Sequence, residues 1–589
     1  MKKVVLIEPQ SREDHVYKSV RMPRLGLPLL GARLKEAGYR VELYLGTGET
    51  LPWPKIVDAD FVGISTITAT SSEAYRIAGY LRSRGQTVVL GGIHPHFMPD
   101  EALNHADYVM RGEADLTIVP LLQALEREQL PWDVPGVSFR NGREVIHNPC
   151  ATEAVELDPL PTPDFTLFRG QKPFRTVPVI TSRGCPYNCN FCSVTLMFGR
   201  RYRFRNTENV LKELAAYRGR SVFFCDDNFT ANPARSKELF RGMLDEKIGL
   251  KSWGAQMRVE ASRDPEMLEL MRRSGGDMAF VGLESINPAT LAALNKQQSV
   301  EDVRECVRRF HDSGIRVHGM FIFGSEADTV QTIRDTVDFA LDAQIDSLQF
   351  AILTPLPGTP LFQQLESEGR LLTRQWTLYD GHHVVFQPAR ISPEELQRET
   401  IAAFKRFYSF RNIFGNAFQA HWATSFYRSV GWWLTRHFER KNRWYERALA
   451  RLQAIDPAPV ALLFKRLKAK PEQEPGGKIA TLQVYLIEKK GILHLRLRGL
   501  IDSINLPELI RTVRSILPGR SLHLVVNVEG LRFASNKVTA AFVRFLERLG
   551  GRTRRLQVVV SGKDEQKKNY ISRERRLKLP RYELVLNRR

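Results

Sequence analysis

Three cysteines within eight residues, Cys185, Cys189 and Cys192 in the run RGCPYNCNFC, carry the strongest chemical signal in the chain. Their spacing is Cys-x3-Cys-x2-Cys. Three thiolates can hold three irons of a cubane cluster and leave the fourth iron without a protein ligand. An iron left open in this way can bind and activate a ligand, as the open position of a catalytic zinc does. The preceding VPVITSRG reads as a strand, so the cysteines fall on a loop at a strand's C-terminal end, where barrel-type α/β enzymes place their chemistry. A zinc knuckle short of its fourth ligand is the competing reading. It lacks the second Cys or His pair that zinc sites usually show, since Cys225 and Cys306 are isolated within other expected elements.

CPYNCNFC resembles the cluster-binding motif of the radical S-adenosylmethionine (radical SAM) superfamily, including the aromatic Phe191 before the third cysteine. The resemblance implies a [4Fe-4S] cluster on Cys185, Cys189 and Cys192, SAM chelating the open iron, and reductive cleavage of SAM to a 5′-deoxyadenosyl radical that abstracts hydrogen from an unactivated carbon. It also implies an electron donor of the flavodoxin or ferredoxin type.

These residues need a scaffold, and the chain supplies one. At 589 residues it is too long for one core, and roughly three or four domains are expected. A 43% hydrophobic and 26% charged composition is that of an ordinary globular protein. The cysteines cluster as metal ligands rather than forming a disulfide framework, which fits a reducing cytoplasm. No signal peptide and no apolar run long enough to span a membrane is evident. Residues 401–470 hold 14 Lys/Arg against 3 Asp/Glu and residues 551–589 hold 13 against 4; these stretches account for nearly all of the net charge of +21. The remainder, which carries the cysteines, is close to neutral.

Residues 1–150 alternate short strands (4–9, 41–46, 61–66, 87–92, 108–113) with helical patterns, which predicts a doubly wound parallel sheet with a ligand at its strand ends. Ser65, Thr66 and Thr68, then Gly91, Gly92, His94 and Pro95, then Gly112 and Glu113 stand at those ends; hydroxyls offer hydrogen bonds and glycines close backbone approach. GGIHPHFMPDEAL followed by HADYVMRGEAD resembles the cobalamin-binding domain fused to many radical SAM enzymes, and the resemblance makes these nine residues cobalamin contacts. The Asp-x-His-x-x-Gly motif of families with a histidine cobalt ligand is missing around His15, which argues against that role. A domain that has lost its cofactor, or a Rossmann-like partner module, is the alternative.

From 170 to 390, six strand-helix units predict the partial barrel of radical SAM proteins. By resemblance, Phe191, Asp226, Arg258, Glu284, Ser285, Ile322 and Gly324 contact SAM. Asp226 and Asp227 could instead cap the next helix, and Arg258 could form a buried bridge with one of them. WTLYDGHHVVFQP (376–388) can close the barrel mouth over substrate, or leave His382 and His383 as surface residues. Residues 391–470 form a basic, aromatic helical extension. Phe418, Trp422, Phe426, Val430, Leu434 and Phe438 recur at i+4 and predict one apolar face; either it lies on an anionic membrane or it packs on the barrel. After the linker KAKPEQEPGGK (468–478), residues 478–589 resemble a STAS domain, a small α/β regulatory module. Ser535 lacks the surroundings of a phosphorylated serine, so protein docking is the expected role. The basic tail around Arg552, Arg554 and Arg555 has no aromatic platform, which argues against nucleic acid.

The sequence therefore predicts four α/β and helical parts and a cobalamin-dependent radical SAM enzyme that methylates an unactivated carbon. Methylases of hopanoid lipids look similar in domain order, which points to a lipid substrate and peripheral membrane contact. Ring-forming chemistry without methyl transfer, as in anaerobic magnesium-protoporphyrin cyclases, is the enzymatic alternative. A cobalamin sensor signalling through its STAS-like end is the non-enzymatic one. No catalytic residue beyond the cofactor contacts is assigned.

Overall fold

The computed structural model describes residues 2–11, 22–296, 298–418 and 422–452. Beyond them it describes 466–473, 479–489, 492–501, parts of 506–513, 523–533, 536–550, 555–561 and 582–587. The loop holding His15, the turn holding Ser535, and Arg552 and Arg554 lie outside these. The chain forms two compact units: one comprises 1–47, 54–371 and 376–449, the other 48–53, 372–375 and 450–589.

The first unit holds two sheets. Strands β1 (Lys3–Pro9), β2 (Arg40–Gly46), β3 (Phe61–Ser65), β4 (Thr87–Gly91) and β5 (Tyr108–Met110) are parallel in the order β2-β1-β3-β4-β5. Their continuous apolar runs, such as Val4-Val5-Leu6-Ile7 and Val88-Val89-Leu90, are buried, as a sheet covered on both faces requires. A hairpin, β6 (Val137–Asn141) and β7 (Glu144–His147), adds antiparallel to β5. It was not foreseen, because the two strands are short and half of each faces solvent.

The second sheet is built from β8 (Thr176–Val179), β11 (Ser221–Phe224), β12 (Ser252–Met257), β13 (Gly276–Glu284), β14 (Arg316–Phe323) and β15 (Ser347–Ile352), all parallel and in that spatial order. This is the six-stranded array expected. Between β8 and β11 a two-residue ribbon, β9 (Ser182–Arg183) with β10 (Arg203–Phe204), pinches the cysteine loop at its base. Asparagine, aspartate or serine caps begin most of the covering helices, as in Asn206, Asn232, Asp264 and Ser299, each accepting a first-turn amide.

Helices Pro393–Phe407, Phe410–Phe418 and Trp422–Leu452 come next. The 31-residue last helix packs through Thr424, Arg428, Thr435, Phe438, Asn442, Tyr445 and Leu449. These alternate at spacings of four and three with Gly431, where an added Cβ would meet the Tyr408 ring at 2.4 Å. The i+4 series read from the sequence does not form one face. Each step of four overshoots the helical repeat by about 40°, so the series winds from exposed Trp422, Phe426 and Val430 to buried Phe438. Among the described residues no helix is long and apolar enough to cross a membrane.

The second unit contains a six-stranded sheet in sequential order: β16 (Arg466–Gln473), β17 (Ile479–Lys489), β18 (Ile492–Ile501), β19 (His523–Phe533), β20 (Arg555–Ser561) and β21 (Tyr582–Asn587). Pairing is antiparallel from β16 to β18 and parallel from β18 to β21. Phe542, Phe545, Leu546 and Leu549 of helix Asn536–Gly550 close its core over Leu495, Val526 and Val558. β16 occupies part of what the sequence reads as a linker; an edge strand tolerates its proline.

Candidate functional site

The cysteine loop leaves the C-terminal end of β8. Gly184 turns the chain at φ 85°, and a Cβ there would sit 2.7 Å from the Arg201 carbonyl, so only glycine fits. Cys185, Cys189 and Cys192 come directly after it, each half-buried and none in a disulfide. Burial pushes all three thiols up, Cys192 to about 11; Cys189 further raises Cys185, and Cys189 and Cys185 both raise Cys192. They are therefore neighbours. A cubane cluster takes one thiolate on each of three irons, and three neighbouring thiols on one loop fit that donor set.

The loop is stitched to its surroundings by backbone-directed bonds. Asn190 donates to the Ala293 carbonyl at 3.0 Å, Asn295 donates to the Asn188 carbonyl at 3.0 Å, and Leu361 N–H donates to the Asn190 carbonyl at 3.3 Å. Phe191 and Ile322 pack against the same apolar cluster of Leu294, Leu353, Leu361 and Phe386, so these two expected SAM neighbours are brought together.

Glu284 ends β13 at φ +60°, beside a register shift between Gly282 and Glu284. A non-glycine residue in this region costs on the order of 1–3 kcal/mol and is a mark of functional sites. Its carboxylate pairs with Lys296 at 2.7 Å, both side chains largely buried. The electrostatics of Cys189 feel both charges, Lys296 lowering its pKa and Glu284 raising it. Lys296 was missed by sequence reasoning, since nothing local marks it. Ser285 accepts the Asn287 amide at 3.0 Å in the adjoining turn.

Arg258 stacks over the Tyr187 ring at 3.8 Å within the cysteine motif and binds Glu260 at 2.9–3.2 Å. The alternative of a bridge to Asp226 or Asp227 is corrected. Asp226 is fully buried, accepting from the Thr181 amide at 3.2 Å, the Thr181 hydroxyl at 2.8 Å and the Ser182 hydroxyl, so its carboxylate is already bonded within the protein. Arg235, which donates to Thr181, supplies the nearest cation. The next residue, Asp227, is exposed on the loop after β11; desolvation, then the Asp226 charge, push it up to about 6 against a bond from the Gly184 backbone. Gly324 has a left-handed backbone (φ 101°), and a Cβ there would lie 2.7 Å from the Leu396 side chain, so this position requires glycine.

At the strand ends of the N-terminal sheet most expected contacts turn inward. Thr66 and Thr68 are buried; the Thr66 hydroxyl bonds Thr70 at 2.8 Å and Thr68 bonds His94 Nδ1 at 3.3 Å. His94 Nε2 meets Glu101 at 3.4 Å, and Glu101 in turn accepts from Trp376 Nε1 at 2.8 Å. Burial pulls the Glu101 pKa up, but His94, Trp376 and Tyr75 together hold it below its ordinary value. Pro95 is buried too. Gly92 (φ 95°) admits the close approach of Thr66, whose carbonyl would lie 2.5 Å from a Cβ. The Thr66, Thr68 and His94 side chains are thus bonded to other protein groups. Ser65, Gly91 and Gly112 remain partly accessible and present backbone at the strand ends.

Glu113 is engaged within the protein. Arg183, two residues before Cys185, binds it at 2.7 Å and clasps Asp115 with two bonds at 2.8 and 2.9 Å; Arg203 binds Glu113 at 2.9 Å. All four side chains are buried or nearly so. The strand-end loop after β5 is thereby locked to the ribbon that carries the cysteines.

The 376–388 segment is neither a surface loop nor a free flap. His382 and His383 are buried. Burial works to raise Asp380, yet His383 at 3.0 Å and then His382 hold it at about 2. His383 Nε2 reaches Asn442 at 3.1 Å on the last helix.

Comparison with known proteins agrees with this geometry. The B12 binding domain family matches residues 19–122 and the Radical SAM superfamily residues 179–340. A bacteriochlorophyllide d C-12(1)-methyltransferase of Chlorobaculum tepidum is 30% identical over 425 residues, covering 69% of this chain and 87% of the relative. This chain belongs to the cobalamin-binding radical SAM family. It is an enzyme whose cofactors are a [4Fe-4S] cluster, SAM and cobalamin. An anaerobic magnesium-protoporphyrin IX monomethyl ester cyclase of Cereibacter sphaeroides is 26% identical over 440 residues, covering 70% of this chain and 71% of the relative. The cobalamin-dependent SAM radical enzyme OxsB, with aqua-cobalamin and SAM bound, shares the fold at a TM-score of 0.56 and 16% identity, covering 79% of this chain and 73% of OxsB.

Proposed function

We propose that this radical SAM enzyme transfers a methyl group to an unactivated carbon of an apolar, polycyclic molecule. The observation that carries the reading is the half-buried cysteine trio on the strand-end loop, next to the strained and charge-paired Glu284. When bound, the cluster and SAM supply the hydrogen-abstracting radical and cobalamin supplies the methyl group. Cys185, Cys189 and Cys192 hold three corners of the cluster. Phe191 and Ile322 bound an apolar wall beside it, Arg258 orients the motif through Tyr187, and Glu284 with Lys296 offers an acceptor and a donor to the SAM amino and carboxylate groups. Ser65, Gly91 and Gly112 offer backbone to cobalamin. Residues 1–150 form the cobalamin domain, 170–390 the barrel, 391–470 the extension and 478–589 a STAS-like docking module for a protein partner. The substrate class rests on the relative that methylates a bacteriochlorophyllide; a hopanoid-like lipid belongs to the same apolar, ring-fused class. Such a substrate places the enzyme in the cytoplasm at a membrane surface, with a flavodoxin- or ferredoxin-type reductant.

The cyclase relative of similar coverage favours ring formation as the second reading. One experiment separates the two. Anaerobically reconstituted protein, given dithionite, methylcobalamin, methyl-labelled SAM and a lipid and pigment extract, is expected to release 5′-deoxyadenosine and to move label into an apolar product. Deoxyadenosine without transferred label would support ring formation; neither would support the cobalamin-sensor alternative.

A further inference from the structure

The first half of the Trp422–Leu452 helix is inside out, burying Thr424, Ser425, Arg428 and Thr435. Arg428 donates to the Ile345 carbonyl at 2.8 Å and the Asp346 carbonyl at 3.3 Å and lies over the Phe407 ring. Thr424 donates to Asp346. Packing is thus satisfied by polar contacts, and the aromatic side chains face solvent. Trp422, Phe426, Val430 and Trp433 are 41–70% exposed. The neighbouring helix adds exposed Phe410 and Phe414, with the Phe410 ring 4.6 Å from Trp432. Isolated exposed apolar residues need no explanation, but a contiguous aromatic strip marks a contact surface.

The charges farther along the same face identify the partner. Trp422, Phe426, Trp433 and residue 440 are separated by 4, 11 and 18 positions, close to whole turns, and so share one side. Position 440 is arginine, and Arg436 and Arg443 flank it; all three are exposed. The strip therefore runs from aromatic to cationic along one solvent-facing line, inside a segment with 14 Lys/Arg against 3 Asp/Glu. Aromatics seated at headgroup depth with arginines on phosphates is the pattern of a helix lying on an anionic bilayer.

We propose that the exposed face of helices Phe410–Phe418 and Trp422–Leu452 docks on an anionic lipid bilayer. The contact is a surface one, and it stands whatever the enzyme methylates. The test is flotation of the full-length protein with vesicles of phosphatidylcholine alone and of phosphatidylcholine with phosphatidylglycerol. Wild type is expected to float with the anionic vesicles and to be released by salt. Trp422→Ser/Phe426→Ser/Trp433→Ser is expected to lower binding by about tenfold or more. Arg436→Gln/Arg440→Gln/Arg443→Gln is expected to erase the preference for anionic lipid. Cluster absorbance and cooperative melting establish that each variant is folded; Phe410→Ser/Phe414→Ser is a second, smaller lesion of the same surface. Failure of the wild type to float, or undiminished flotation of the aromatic variant, overturns the proposal. A wild-type dimer seen by light scattering without lipid, and dissolved by the aromatic variant, overturns it in favour of a second copy of the chain. Because flotation needs no turnover, its result is independent of whether SAM is cleaved.

Discussion

Two strand-end regions of this protein face the same task in opposite ways. The loop after β8 leaves its cysteines half-buried and uncommitted to other side chains, with asparagines and Arg258 holding the loop's shape from outside. The loops after β3 and β4 spend their hydroxyls and imidazole on one another, leaving backbone at the surface. A metal cluster needs specific ligand atoms, whereas a large planar cofactor needs a shaped cradle. The difference teaches that the same motif-level signal, polar residues after a strand, leaves side chains uncommitted in one place and binds them to one another in the other.

Cys185→Ala breaks the first region outright: iron content and SAM cleavage are expected to fall to background, read by iron assay and deoxyadenosine release. Arg183→Met attacks the clasp between the regions. It leaves buried Asp115 without its bidentate partner and Glu113 with Arg203 alone, and is expected to cost about 3–5 kcal/mol in denaturant unfolding. Glu284→Gln sharpens the comparison on the cluster side. Loss of one charge-assisted contact, about 1.5–3 kcal/mol, is expected to weaken SAM binding roughly 10- to 100-fold while the cluster still assembles.

Asp380→Asn probes the buried anchor of the last helix. Its folded pKa near 2 lies below the ordinary carboxylate value, so the ionised form stabilises the fold above about pH 4 and that contribution fades as pH falls through 2. The substitution is expected to cost about 2 kcal/mol at neutral pH and progressively less on acidification, followed by denaturant melts at several pH values. Thr68→Val is the mildest. It removes a bond to His94, costs about 1 kcal/mol, and is expected to leave cobalamin affinity unchanged, as measured by spectral titration. A large loss of cobalamin would return Thr68 to the cofactor contacts.

The sheets were legible because parallel strands are continuous apolar runs whose order repeats with the helices. The cysteines were legible because their spacing is local. The features that escaped were set by distant partners. Asp226 and Asp227 are adjacent, and the contacts with Thr181 and Ser182, 45 and 44 residues from Asp226, decide which one is sealed in. The partners of His94 are equally remote: Glu101 meets its imidazole and accepts in turn from Trp376, 275 residues from Glu101. The aromatic helix was read from a spacing of four, which drifts around the helix. Its actual seat was fixed by Arg428 and Asn442 finding carbonyl and imidazole partners that no local pattern reveals.

The most direct test of the central claim is electron paramagnetic resonance of the reduced, anaerobically prepared full-length protein with and without SAM. The account predicts a brown protein with about four irons per chain, whose reduced-cluster spectrum shifts when SAM occupies the open iron. A colourless protein carrying zinc, or a cluster spectrum indifferent to SAM, would contradict it.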